Sequence, residues 1–223
     1  MVELILGLDA ERVRANLARI GGELDAACER SGRALGSVEV LAATKYVALE
    51  AMPTLAEAGV RLVGENRAQD LQEKAAAHGP LFEWDFIGQL QSRRVRLIVP
   101  HVRLIHSVAS ESALQELERH REIMRPGLRI LVQVNVAGEQ GKAGIAPEQL
   151  DAFIARSSVP VAGLMTMPPL SSQAEDNRRW FAALRQLAEE RGLSELSMGT
   201  SQDYLIAAEE GATIVRIGTN LYH

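Results

Sequence analysis

At 223 residues with 47% apolar side chains, the chain can bury one large core, and single α/β barrels occupy this size range. Its 24 basic and 29 acidic residues leave a formal charge of −5 without a long block of like charge, so no nucleic-acid arm or acidic tail is indicated. Cys28 stands alone, which excludes an intramolecular disulfide and a multi-cysteine metal site and suits a reducing, cytoplasmic setting.

The opening stretch from Met1 to Leu8 is apolar but short and lacks a basic start, so neither a signal peptide nor a membrane span is expected. Asp9 is placed to cap a helix whose apolar stripe runs through Val13, Leu17, Ile20, Leu24 and Ala27/Cys28 and ends near Gly32. Cys28 is read as a small core-facing residue on that helix. From Val38 onward the pattern becomes short β-branched runs alternating with helical stripes, the pattern of βα units around a parallel sheet.

The candidate strands are Val38 to Ala42, Val60 to Val63, Trp84 to Ile87, Val102 to Ile105, Leu128 to Val136, Val159 to Leu164, Glu195 to Met198 and Thr213 to Ile217. Gly59, Gly79-Pro80, Pro126-Gly127, Gly192 and Gly211 punctuate the helix ends, Pro147 suits a first helical turn, and the helix starting near Leu90 is short and charged. Eight strands with crossover helices predict a single closed (β/α)8 TIM-type barrel, residues 1–223, with an open doubly wound sheet as the alternative. Few residues follow the eighth strand, so the N-terminal helical segment, residues 1–34, is expected to pack on the barrel in place of the last outer helix.

In such barrels ligands sit at the C-terminal strand ends, and phosphate is often held after strands seven and eight. There the chain carries Ser197-Met198-Gly199-Thr200-Ser201 and Arg216-Ile217-Gly218-Thr219, small residues and hydroxyls that let backbone amides approach an anion. Taken singly, Ser201 also reads as a plain helix cap and Gly218 as a plain turn. Strand one ends in Ala43-Thr44-Lys45, and closure makes strand one the neighbour of strand eight. A lysine partly desolvated by the barrel walls beside an anion cup can form a Schiff base with an aldehyde. A solvated surface lysine is the competing reading, and the convergence of Lys45, Ser201 and Gly218-Thr219, distant in sequence, favours chemistry.

The segments Ala43-Thr44-Lys45, Gly64-Glu65-Asn66, Phe86-Ile87-Gly88-Gln89-Leu90-Gln91, Val134-Asn135-Val136, Gly163-Leu164-Met165, Leu196-Ser197-Met198-Gly199 and Val215-Arg216-Ile217-Gly218-Thr219 occur in one order. From about Ser31 onward the chain thereby resembles the pyridoxal phosphate homeostasis proteins, the YggS/PROSC family, similar to the barrel domain of alanine racemase. The resemblance implies a pyridoxal 5′-phosphate (PLP) cofactor held by Lys45 as an aldimine, phosphate contacts from Ser201, Gly218 and Thr219, and Arg216 facing the pyridine nitrogen. It also implies Asn66 as a pocket residue, with a helix cap as its other reading. Met198 and Met165 are placed near the ring or in ordinary packing at the barrel mouth. For Arg216 the competing reading is a barrel arginine paired with a carboxylate.

Three departures from the family pattern stand out. Asp85 occupies a position commonly histidine, Ser92-Arg93-Arg94 replaces an asparagine-lysine pair, and the chain ends at Tyr222-His223, short of the usual tail. The five histidines lack metal-ligand spacing and are read as solvated or capping residues. Gly138 to Gly144 lacks the Lys-Ser/Thr pair of a nucleotide loop and is read as a mobile loop after strand five.

The expected function is a non-catalytic PLP holder that maintains the intracellular cofactor and passes it to apo PLP-dependent enzymes. No catalytic residue, metal, nucleic acid or membrane is expected, and a monomer is favoured over a dimer. The alternatives are a PLP-dependent amino-acid racemase, for which the chain has no second catalytic domain, and a Schiff-base barrel aldolase, which leaves the other ordered motifs unexplained.

Overall fold

A computed structural model describes residues 4–223. The chain opens with helix α1 (Ala10–Arg30) and then alternates through β1 (Glu39–Ala43), α2 (Met52–Glu57), β2 (Leu62–Glu65), α3 (Ala68–His78), β3 (Glu83–Phe86), α4 (Val95–Ile98), β4 (Leu104–Val108), α5 (Glu111–Arg119), β5 (Arg129–Gln133), α6 (Leu150–Ala155), β6 (Val161–Met165), α7 (Arg178–Glu189), β7 (Glu195–Thr200), α8 (Tyr204–Glu209), β8 (Ile214–Ile217) and α9 (Thr219–Tyr222). The eight strands form a closed barrel in sequence order, every pair parallel. β1 closes on β8 with Leu41 opposite Arg216 and Ala42 opposite Ile217, which rules out the open doubly wound sheet. All eight expected strands are present, their ends shifted by a residue or a few.

Alternation along each strand divides the apolar residues between two layers. Leu41, Leu62, Leu104, Leu131, Met165 and Ile214 point into the barrel and pack on one another. Their neighbours Ala42, Val63, Ile105, Val132, Leu164 and Val215 face outward and join the larger core beneath the helices. Both strand faces are covered, so the strands read as near-continuous apolar runs.

Helix α1 begins where expected: the Asp9 carboxylate accepts hydrogen bonds from the N–H groups of Glu11 and Arg12 at 2.9 and 3.2 Å. Its apolar stripe buries Val13, Ile20, Leu24, Ala27 and Cys28, and a fully buried Ile or Leu contributes about 1.5–3 kcal/mol. That face packs on α8, α9 and α2, so α1 fills the outer position beside the one-turn α9. Asn16 ties the two together, donating from Nδ2 to the carbonyls of Leu221 at 3.2 Å and His223 at 3.0 Å. The N-terminal segment is helical only from Ala10. Before it, Ile5 pairs with Val47 in the loop after β1, donating its N–H to the Tyr46 carbonyl at 2.7 Å.

The loop after β5 is tied down along its length. Ile145 N–H donates to the Gln133 carbonyl at 2.8 Å, Gln133 Nε2 to the Ala143 carbonyl at 3.0 Å, and Lys142 Nζ to the Pro168 carbonyl at 2.9 Å. Among the described residues no helix is long and apolar enough to cross a membrane.

Candidate functional site

β1, β7 and β8 are consecutive around the closed barrel, and their C-terminal ends open onto a cleft of about 390 Å³. Lys45, Asn66, Ser201, Arg216, Gly218 and Thr219 all line it. Residues separated by more than 150 positions thus meet because the barrel closes, as the first and last strands must when the sheet has no edge.

The anion-binding side is built by the turn after β7. Gly199 adopts φ +89°, and a Cβ there would lie 2.6 Å from Ala207 Cβ and 3.0 Å from Tyr204 Cα, so only glycine lets the strand turn directly into α8. The Asp203 carboxylate then fastens the turn, accepting from Thr200 N–H at 2.7 Å and from Asn177 Nδ2 at 2.8 Å. Ser201 does not cap α8: its Oγ accepts from Gly218 N–H at 3.3 Å, joining the ends of β7 and β8. Among the described residues the backbone N–H groups of Ser201 and Gln202 have no protein partner and remain available to a ligand.

Lys45 lies in the turn immediately after β1. It is exposed at the rim, its Nζ 4.8 Å from the centre of the Tyr46 ring, so the expected desolvation by barrel walls is not found. The turn itself is held from below. Buried Lys74 donates to the Thr44 carbonyl at 2.8 Å and to Glu65 Oε1 at 2.6 Å, and Thr44 Oγ1 donates to the same carboxylate oxygen at 2.7 Å. Tyr222 adds a second tie, its hydroxyl donating to the Ala43 carbonyl at 3.1 Å. Burial, assisted by the charge of Glu65, raises the Tyr222 pKa and keeps that hydroxyl protonated.

Asn66 is not the cap of α3, whose cap position is Arg67. Asn66 lines the cleft, and its buried Oδ1 has no hydrogen-bond partner among the described residues. Gly88 makes room for it: a Cβ there would stand 1.9 Å from the Asn66 carbonyl oxygen.

Arg216 points into the barrel and is 6% exposed. Among the described residues no carboxylate lies within ion-pair distance, so the expected alternative of a paired interior arginine does not hold. Nη1 donates to Ser197 Oγ and Nη2 to the Thr166 carbonyl at 3.1 Å, with Met167 Sδ 2.9 Å from Nη2. Burial pulls its pKa down to about 10, partly opposed by Asp203. Among the described residues, Nε–H and one Nη1–H of Arg216 have no partner.

Two expectations fail here. Met198 does not reach the cleft; on β7 it alternates with inward-facing Ser197, so its side chain is wholly buried in the outer core. Met165 is likewise packed inside the barrel, whereas Met167 lines the cleft. His106 is neither solvated nor a cap. It is fully buried on β4, with Nε2 3.1 Å from Asp85 Oδ2 and Nδ1 2.8 Å from Ser197 Oγ. All five residues of β4, Leu104 to Val108, are buried, whereas the expected strand stopped at Ile105 and left His106 outside it. His120 does occupy the cap position of α5. Asp85 belongs to the same interior group as His106 and does not line the cleft, while Arg93 and Arg94 sit on the turn Ser92–Arg94 outside it.

The fold and this mouth define a barrel of the alanine racemase N-terminal type: the family described as alanine racemase, N-terminal domain, matches residues 9–223. A pyridoxal phosphate homeostasis protein of Aquifex aeolicus is 38% identical over 217 residues, covering 92% of this chain and 95% of the relative. The chain belongs to the pyridoxal phosphate homeostasis protein family. A crystal structure of an unknown protein from Bifidobacterium adolescentis superposes with a TM-score of 0.86 at 28% identity, covering 100% of both chains. The structure of PipY from Synechococcus elongatus with PLP bound gives 0.76 at 30% identity, covering 95% of this chain and all of that one.

Proposed function

We propose that this protein holds PLP covalently through Lys45, as a carrier that maintains the intracellular cofactor and does not turn over substrate. One observation carries the reading: a single cleft gathers a lysine amine, unpartnered backbone N–H groups beside a serine hydroxyl, and a buried guanidinium without a carboxylate. These match the three parts of PLP, its aldehyde, its phosphate and its pyridine ring. The bound PLP of similar PipY and the names of the relatives support the same assignment.

Ser201, Gly218 and Thr219 would hold the phosphate, with Asn66 lining the pocket beside the ring and Arg216 donating to the ring nitrogen. When bound, PLP supplies a reactive aldehyde that condenses with primary amines and, in enzymes, an electron sink. The chain's own groups suit storage better than that second use. The positive charge that Arg216 carries near neutral pH opposes protonation of the ring nitrogen, which weakens the sink. Tyr222, a candidate base in the cleft, is committed to the Ala43 carbonyl. Exposure of Lys45 at the rim leaves the attachment open to competing amines, as delivery to apo PLP-dependent enzymes requires.

We read the chain, residues 1–223, as one functional unit, monomeric because the closed sheet offers no edge for pairing. Buried, unpaired Cys28 suits a reducing cytoplasm. Borohydride reduction of the PLP-saturated protein followed by peptide mapping tests the assignment. A pyridoxyl adduct on Lys45, absent in Lys45→Ala, is expected; an adduct elsewhere or none refutes it. Rapid interconversion of the enantiomers of alanine, accompanied by α-proton exchange, would instead support the racemase alternative.

A further inference from the structure

Beneath the cleft a polar chain crosses the apolar barrel interior from strand to strand. It runs from Arg216 on β8 to Ser197 on β7, His106 on β4, Asp85 on β3 and Arg103 just before β4, and ends at exposed Glu39. Asp85, His106 and Ser197 are all buried, so each hydrogen in the chain must have a definite recipient.

The direction of every bond follows from the chemistry of the groups. Arginine only donates, so Ser197 Oγ accepts from Arg216. The one hydrogen of Ser197 then goes to its remaining neighbour, His106 Nδ1, at 2.8 Å. With Nδ1 accepting, the imidazole carries its hydrogen on Nε2 and donates it to Asp85 Oδ2 at 3.1 Å. Asp85 can receive because it is fixed from the other side by Arg103, whose Nε donates to Oδ1 at 3.0 Å. Arg103 in turn donates to Glu39 Oε2 at 2.8 Å, tying the chain to the opposite end of the barrel.

The charged groups facing His106 are Asp85 on β3, Arg103 beside β4 and Arg216 on β8. Burial lowers its pKa, Asp85 opposes this, and the two arginines reinforce it, so the ring stays neutral and the chain keeps one polarity.

We propose that His106, oriented by Asp85, is a positioning residue for Arg216: the one-way relay Arg216 to Ser197 to His106 to Asp85 holds the guanidinium in register with the cofactor ring. This role rests on the PLP reading above. Of the chain only Arg216 reaches the cleft; Ser197, His106 and Asp85 act through it. Asp85 suits the end of the relay because a carboxylate accepts and never donates, whereas an amide there could present N–H to Nε2 and drive the imidazole hydrogen to Nδ1.

Nitrogen-15 NMR of the cofactor-free wild-type protein near neutral pH tests the relay directly. A neutral His106 with its hydrogen on Nε2 is expected; an Nδ1–H ring or an imidazolium overturns the proposal. A double-mutant cycle then tests its purpose. Ser197→Ala and Asp85→Asn should each weaken PLP binding by about three- to tenfold and shift the visible band of the bound cofactor. The double variant should bind no more weakly than Ser197→Ala, because the link is already cut; additive losses, or an unshifted band in both single variants, overturn the proposal. If Asp85→Asn does not fold, His106→Asn replaces it in the same cycle. A wild-type protein that binds no PLP overturns the cofactor reading, and this role with it, even where NMR shows the Nε2–H ring.

Discussion

Replacing Lys74 by methionine should be among the most damaging single changes outside the apolar core. Lys74 and Glu65 have side chains only 8% and 0% exposed, with Nζ 2.6 Å from the carboxylate. Removing the amine leaves Glu65 Oε1 with only the Thr44 hydroxyl, while Oε2 already has no partner. Breaking a buried pair in this way costs about 3–5 kcal/mol, since the surviving charge keeps its desolvation penalty and loses its compensation. For a chain of this size each kcal/mol moves Tm by about 2–4 °C, so a drop of roughly 6–20 °C is expected. Urea and thermal unfolding followed by circular dichroism measure it. Converting both partners, Lys74→Met with Glu65→Leu, should recover most of the loss. Because Lys74 also holds the Thr44 carbonyl, the single variant should in addition weaken PLP binding through the loosened Lys45 turn. A destabilisation below about 1 kcal/mol would refute the reasoning, since the pair would then not behave as a buried one.

Three further outcomes follow from the site. Ser201→Ala removes one hydroxyl donor and the acceptor for Gly218 N–H, and equilibrium dialysis should show PLP affinity reduced by about 1 kcal/mol, near fivefold; unchanged affinity would reduce Ser201 to a structural turn residue. In Arg216→Glu a carboxylate beside the ring favours a protonated nitrogen, so the absorption spectrum of the bound cofactor should change while binding persists; an identical spectrum would remove the arginine–ring contact. Burial lowers the pKa of both His101 and His106, so as pH falls below about 6.5 the unfolded chain takes up protons that the native chain does not. Stability should therefore decline in that window by up to about 1.4 kcal/mol per pH unit for the buried His106, with a smaller, solvent-screened share from the more exposed His101, and His106→Asn should flatten the slope of unfolding free energy against pH.

Much of this protein is legible in one dimension because a parallel barrel repeats a local pattern. Short apolar runs, glycine and proline breaks, and the Asp9 cap depend on neighbours within a few residues, so eight strands and the amphipathic α1 could be read directly. Lys45, Ser201, Gly218 and Thr219 could be placed at one mouth because strand-end position and chain closure are themselves consequences of that count, whereas Arg216 and Asn66 entered through the family resemblance. Met198 shows the limit of reading a motif as a unit: period-two alternation sends it outward although Ser197 before it faces the barrel interior and holds Arg216.

What only the folded barrel decided are the interactions across its interior and under its floor. Asp85, His106, Ser197 and Arg216 come from four strands, and no local spacing relates them; their order of donation exists only once the strands surround a common axis. The same holds for Lys74 and the Tyr222 hydroxyl, which reach the backbone just before Lys45 from a helix of the second repeat and from the last turn of the chain. Local residue chemistry determined where strands and turns form, because those choices cost or gain energy within a few residues. Which buried polar groups satisfy one another was decided by closure, because burial without a partner is costly and partners are set by position in space.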